Sequence, residues 1–262
     1  MEATVQQDTG LEVEIRDGLA RCRMNFDAVN SLDADALARL GRIFRELAND
    51  STVRVVILES ARPGWFSNGL NLDYLHGHPG RVSDFMEHFF GTLEALYRLP
   101  VPVVAVIGGH CMGYGTMLAL LSDYRLMADG KFRISLPEAN LGIRVPVLIA
   151  LALKEIVNGP LARDMMLLGT ALKPAEAAGA GLVDELHGPD ELDAKAARFA
   201  RRFANLSITG TRASKTAARD GIMHRLEEIL EQDKREAAEN IITPDAREGI
   251  SAFVEKRRPS FA

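Results

Sequence analysis

Two near-continuous apolar runs, Val53 to Leu58 and Val101 to Ile107, constrain this chain more than any other feature. A strand that alternates apolar and polar residues needs cover on one face, whereas one that is apolar at nearly every position must be buried on both. Both runs are short and rich in β-branched residues, so they read as central strands of a parallel sheet with helices against each face. Pro100 and Pro102 stand at the start of the second run, where a missing N–H costs least. The expected fold class is α/β.

The remaining patterns fit around that sheet. Leu11 to Asn25 alternates about an Asp17-Gly18 turn and reads as a hairpin. Leu37, Leu40, Phe44 and Leu47 recur on one helical face behind Asp33, a plausible N-cap. After about residue 145 strand signals fade, except at Leu182-Val183-Asp184-Glu185, and helices are expected over Asp190 to Ala204, Thr211 to Ala218, Met223 to Glu239 and Asp245 to Val254. This divides the chain into a flexible N-terminal tail (1–10), a core (11–200) and a helical C-terminal region (201–262).

Composition narrows the partners. Hydrophobic residues make up 47% of the chain, enough to fill a core, so disorder is not the expectation. Acidic residues number 36 against 31 basic ones, with no basic stripe, which argues against nucleic acid. The longest apolar runs fall well short of the ~20 residues a membrane span needs. Cys22 and Cys111 have no metal-ligand spacing and form no disulfide framework, and Met1 to Gly10 lacks the layout of a secretory signal, so a cytoplasmic setting is expected.

Three segments follow candidate strands, where open α/β sheets place their ligands. Trp65 to Leu72 contains Asn68-Gly69, small residues that let a ligand approach the backbone, with the Leu70 amide as a donor, or that simply supply a turn. Gly108 to Gly115 holds four glycines at a strand-to-helix junction, where unpaired amides suit developing negative charge. It is neither a P-loop nor a dinucleotide fingerprint. Ser135 to Gly142 carries Glu138 beside Pro137; alone, such a glutamate is an ordinary solvated residue.

Taken together and in this order, the three segments resemble the crotonase superfamily, also called the enoyl-CoA hydratase/isomerase family. Val29-Asn30-Ser31-Leu32 and Ser122-Asp123-Tyr124 match further landmarks of that family. The resemblance implies a crotonase-like ββα spiral core with a helical C-terminal trimerisation region, assembled as a homotrimer or hexamer. It implies an acyl-coenzyme A substrate bound in a bent form, with the coenzyme part of the substrate and no separate cofactor or metal. It assigns the oxyanion-hole amides to Leu70 and Tyr114, proton transfer to Glu138, and substrate contacts to Phe66, Asn68, Gly69, Gly113, Met117 and Arg144.

The departures from the family pattern are as informative. Family hydratases use two glutamates, and the first position here is Met117, which neither holds nor deprotonates water. One carboxylate suffices for a Δ3-to-Δ2 double-bond shift, so isomerase chemistry is expected, with hydration by a rearranged site, decarboxylation, thioester hydrolysis or non-catalytic acyl-CoA binding as alternatives. A second polar group, if one is needed, would come from Asn71, Tyr74 or Arg144. Asp27 stands where a basic contact to the nucleotide phosphates is usual, leaving Arg62, His76, His78 or Arg81 to replace it. Arg144, in a stretch that lacks the double glycine of hydratases, either enters the pocket or caps the surface.

Overall fold

The computed structural model of the protein describes residues 4–261. The chain opens with β1 (Thr4–Asp8), β2 (Leu11–Arg16), β3 (Leu19–Met24), β4 (Ser31–Leu32) and α1 (Ala34–Asn49). Next come β5 (Val55–Ser60), β6 (Gly64–Ser67), β7 (Gly69–Leu70), α2 (Leu72–Gly77) and α3 (Val82–Tyr97). They are followed by β8 (Val103–Ile107), β9 (Gly109–Met112), α4 (Tyr114–Leu121), β10 (Tyr124–Ala128) and β11 (Ile134–Ser135). A 3-10 turn over Glu138–Leu141 leads to α5 (Val147–Ile156), α6 (Gly159–Leu168), α7 (Pro174–Gly179) and β12 (Glu185–His187). The helices α8 (Pro189–Ala204), α9 (Ile208–Ala218), α10 (Asp220–Met223), α11 (Leu226–Ile241) and α12 (Pro244–Val254) complete the fold.

The main sheet has the order β1-β2-β3-β5-β8-β10-β12, antiparallel through its first three strands and parallel thereafter. Strands β5, β8 and β10 are each followed by a strand outside that sheet, and β6, β9 and β11 pair in parallel as a second sheet. A helix follows each time, which is the ββα repeat expected of the core. The apolar runs have the predicted cause. Val55, Ile57, Val104, Val106, Leu126 and Ala128 pack against Leu192, Ala196, Phe199 and Ala200 of α8. Their neighbours Val56, Leu58, Val103, Ala105, Ile107 and Met127 turn to the larger core that includes Leu40, Phe44, Phe90 and Leu93.

The cap at Asp33 is present, its side chain accepting from Ala36 N at 2.8 Å. Other expectations need correction. Thr4–Asp8 is not a loose tail but a strand paired to Leu11–Ile15, its backbone satisfied by the hairpin; residues 1–3 lie outside the described residues. The boundary expected at residue 200 falls inside α8, whose apolar face covers the sheet. Leu182 and Val183 are core residues preceding β12 rather than part of it. Ser207 caps α9 through Gly210 N, starting that helix earlier than expected, and the helix expected over Met223 to Glu239 is α11, which starts at Leu226, Met223 ending the short α10. Among the described residues, no helix is long and apolar enough to cross a membrane.

Candidate active site

The loop that joins β6 to α2 is held from behind by one buried asparagine. Asn30, fully buried at φ +51°, donates through Nδ2 to Ser60 Oγ at 2.7 Å and to the carbonyls of Met24 and Phe66, and its own carbonyl accepts from Ser67 Oγ at 2.7 Å. Ser67 Oγ in turn accepts from Gly69 N at 3.0 Å. Asp27 supports the same turn by accepting from Val29 N and Ser31 N, so its side chain serves the fold here. The pairing of β4 with β7 sets the direction of the Leu70 amide. Asn71 N donates to Leu32 O at 2.9 Å, and because successive strand amides point to opposite sides, Leu70 N–H faces away from β4.

The glycine-rich segment meets that loop at close range. Gly69 has φ +94°, and a Cβ there would lie 3.0 Å from Met112 O and 3.3 Å from Tyr114 N. Only glycine combines that backbone conformation with that approach. Gly113 N donates to Ser135 O at 3.0 Å, tying the turn to β11, and Tyr114 is the first residue of α4. The first helical hydrogen bond runs from Met117 N to Gly113 O, so the amides of Tyr114, Gly115 and Thr116 have no intrahelical acceptor. A Cβ on Gly115 would meet Ser67 Cβ at 2.7 Å, which shows how tightly α4 is set against the first loop.

The third segment brings in the carboxylate. Glu138 starts the 3-10 turn after Pro137, and its carbonyl accepts from Ile143 N at 3.0 Å. A Cβ at Gly113 would lie 3.3 Å from Glu138 Oε1, so the side chain reaches across to the glycine loop. The carboxyl is buried, Oε2 has no hydrogen-bond partner, and burial pushes its pKa up to about 7. Helix α12 presses on this turn from outside, since a Cβ on Gly249 would lie 2.2 Å from Leu141 O.

These elements enclose a cavity of about 340 Å³. Asn68, Gly69, Leu70, Gly113, Tyr114, Met117, Glu138 and Arg144 all line it. Glu138 is the only carboxylate among the described residues that do so. Phe66 is a correction: it is fully buried in the core and does not reach the cavity. Asn71 and Tyr74 do not line it either; the Asn71 side chain caps α2 by accepting from Tyr74 N at 2.8 Å. Of the two places left open for it, Arg144 takes the pocket: it lines the cavity and pairs with the buried Asp233 and with Glu236 of α11. The Tyr114 side chain turns away into the core, its hydroxyl donating to Phe89 O at 2.8 Å. Asp123 is structural, accepting from Val103 N and pairing with Lys215 and Arg219.

Sequence reasoning missed the far wall, built by Gly249, Phe253, Arg257 and Pro259. Its signal was the basic run Lys256-Arg257-Arg258 beside Pro259, in a region read only as helices for assembly. Glu248 accepts from both Arg257 Nη atoms and from Ser260 N, which folds this segment back over the cavity.

A largely apolar cavity with the Leu70 and Tyr114 backbones and one buried carboxyl in its wall offers groups of the kind that hold an oxygen as it gains charge and exchange a proton beside it. Known proteins share the arrangement's frame. The family model described as enoyl-CoA hydratase/isomerase matches residues 14–262. Enoyl-CoA delta isomerase 1 of rat mitochondria is 29% identical over 248 residues, 94% of this chain and 86% of its own. The carnitinyl-CoA dehydratase of Salmonella arizonae is 30% identical over 88% of this chain and 90% of its own. The crystal structure of human mitochondrial delta3-delta2-enoyl-CoA isomerase superposes with a TM-score of 0.87 at 27% identity, covering 98% of each chain. With a family model spanning all but its first residues and relatives aligned along most of their length, this chain belongs to the enoyl-CoA hydratase/isomerase family of the crotonase superfamily.

Proposed function

We propose that the protein is a Δ3-to-Δ2 enoyl-CoA isomerase. The observation that carries this reading is the solitary carboxyl of Glu138, buried, with Oε2 unpartnered, in a cavity whose other candidate glutamate position is Met117. Glu138 removes a proton from C2 of the 3-enoyl thioester; the electron pair of that C–H bond becomes the C1–C2 π bond of a dienolate, and the carbonyl π pair moves onto the thioester oxygen. Leu70 and Tyr114 amides hold the thioester oxygen while it carries the negative charge; one such donor is commonly worth ~3 kcal/mol. Glu138 then returns the proton to C4, and the double bond comes to rest between C2 and C3. One proton moves and no electrons leave the substrate, so the reaction calls for no cofactor.

Burial supports this role physically. A carboxyl with a pKa of about 7 is present as base and acid in comparable amounts near neutral pH, which suits a group that must take a proton and give it back. Hydration is the second reading, favoured by the dehydratase and hydratase names among the relatives. It needs a second group that holds and activates water, for which family hydratases use a glutamate at the position of Met117, and the lining has no second carboxylate among the described residues.

Parallel assays separate the two. With 3-hexenoyl-CoA as substrate, isomerisation gives 2-hexenoyl-CoA that accumulates. With 2-hexenoyl-CoA as substrate, a hydratase gives 3-hydroxyhexanoyl-CoA, and formation of that product at a comparable rate would overturn the isomerase reading.

A further inference from the structure

Arg144 is an odd residue to find in the wall of an apolar cavity. Leu70, Leu72, Phe89, Met112, Leu141 and Ile143 form much of the same lining. Its backbone is fixed, the amide donating to Asn240 Oδ1 at 2.9 Å, and its guanidinium is drawn toward α11 by Asp233 Oδ1 at 3.5 Å and Glu236 Oε2 at 2.6 Å from Nη1. Nη1 is buried against those two carboxylates, whereas Nε and Nη2 are not buried and donate no hydrogen bond of good geometry among the described residues. A guanidinium has five N–H donors in a planar fork, and the quarter of this side chain that stays exposed, 26%, belongs to a residue lining the cavity.

A plain hydrocarbon chain would strip water from those donors and return nothing, an unfavourable exchange for buried donors. An acyl chain carrying an oxygen would satisfy them. Charge decides which kind of oxygen. Asp233 and Glu236 together outweigh the single charge of Arg144, and Arg257, the other arginine of the lining, is likewise flanked by Glu248 and Glu255. A carboxylate on the acyl chain would meet paired cations beside surplus anions, whereas a neutral hydroxyl or keto oxygen accepts from the fork without that repulsion.

We propose that Arg144 is a specificity-determining residue that selects acyl-CoA thioesters whose chain bears a neutral oxygen function beyond the reacting carbons. The proposal rests on the reading of this cavity as the acyl-CoA site, and it is independent of whether the bound thioester is isomerised. Asp233 and Glu236 aim the guanidinium through Nη1; the acceptor for its remaining donors comes from the substrate. A site built to hydrogen-bond a substrate group rejects the analogue lacking it far more strongly than an apolar pocket rejects an added hydroxyl.

Binding separates this proposal from the reaction assigned above. Dissociation constants are measured by calorimetry for hexanoyl-CoA, for the chains hydroxylated at C4, C5 or C6, and for the carboxylate-terminated adipoyl-CoA, with wild type, Arg144→Met and Arg144→Lys. At least one hydroxylated chain is expected to bind wild type about tenfold or more tighter than hexanoyl-CoA, with adipoyl-CoA weaker than it. Arg144→Met should bring the hydroxylated-to-plain ratio to unity, and Arg144→Lys, which keeps the charge and loses the fork, should leave a reduced preference. Equal or tighter binding of hexanoyl-CoA by wild type overturns the proposal, as does tightest binding of adipoyl-CoA or a preference that survives Arg144→Met. The wild-type comparison decides even if loss of Arg144 beside two carboxylates prevents a variant from folding. Absence of double-bond migration with 3-hexenoyl-CoA would count against the isomerase reading alone.

Discussion

At the scale of single residues, the account turns on Glu138. Its carboxyl is buried and Oε2 has no hydrogen-bond partner, so the charged form is disfavoured and titration moves up to about 7. As the base that takes the C2 proton, it must be ionised, so turnover of a 3-enoyl-CoA under kcat/KM conditions is expected to fall tenfold for each pH unit below about 7 and to level off above it. A pH–rate profile flat from 5 to 8 would contradict this. Met117→Glu places a second carboxyl in the same cavity, and like charges at close range resist joint ionisation; the acidic limb is then expected to move upward, as measured by the same profile. Residue identity was partly legible beforehand. Glu138, Leu70, Tyr114 and Met117 could be placed by motif, whereas Phe66, in the same motif, turned out to face the core. A motif locates a backbone segment, and the direction of each side chain depends on pairing, here on how β6 lies against β9.

At the scale of elements, the strands were the most readable part because burial on both faces leaves no room for polar residues. The seven-residue run Val101 to Ile107 matches β8 closely for that reason. Helix ends were less readable, since they depend on caps such as Ser207 and on the separation of α10 from α11, which no periodicity marks. Helix α12 lines the cavity through Gly249 and Phe253 and also supports the turn that carries Glu138. Gly249 lets it approach Leu141 O, and the turn it supports begins with Glu138. Gly249→Ala would force a Cβ into a backbone carbonyl that cannot yield as a flexible side chain would. The expected result is a loss of activity of about tenfold or more with far-UV circular dichroism retained; wild-type kcat/KM in a folded variant would show that α12 does not position the turn.

At the scale of the whole molecule, the site is closed by segments distant in sequence. Residues 68–70, 113–117 and 138–144 were legible as one constellation, but the wall from Gly249 to Pro259 was not, because nothing in a helical pattern says which helix folds back over which loop. The buried carboxyl also bears on global stability. Folded protein holds the Glu138 proton to about pH 7, whereas an exposed glutamate releases it near 4.5, so its contribution to stability declines as pH rises between those values and stays low above them. That difference corresponds to about 3 kcal/mol, using ~1.4 kcal/mol per pKa unit. Glu138→Gln is therefore expected to be more stable than wild type by a margin that grows from pH 5 to pH 8 in denaturant titrations; a margin independent of pH would contradict the burial argument.

The most direct measurement follows hydrogen at C2 and C4 of 3-hexenoyl-CoA in deuterated water, with wild type and Glu138→Gln. The account predicts double-bond migration by wild type with part of the C2 hydrogen delivered to C4 of the same molecule, and a loss of migration in the variant on the order of 10²- to 10⁴-fold, the range of a single acid–base group. Migration that survives Glu138→Gln, or tight binding by wild type with neither migration nor exchange at C2, would contradict it.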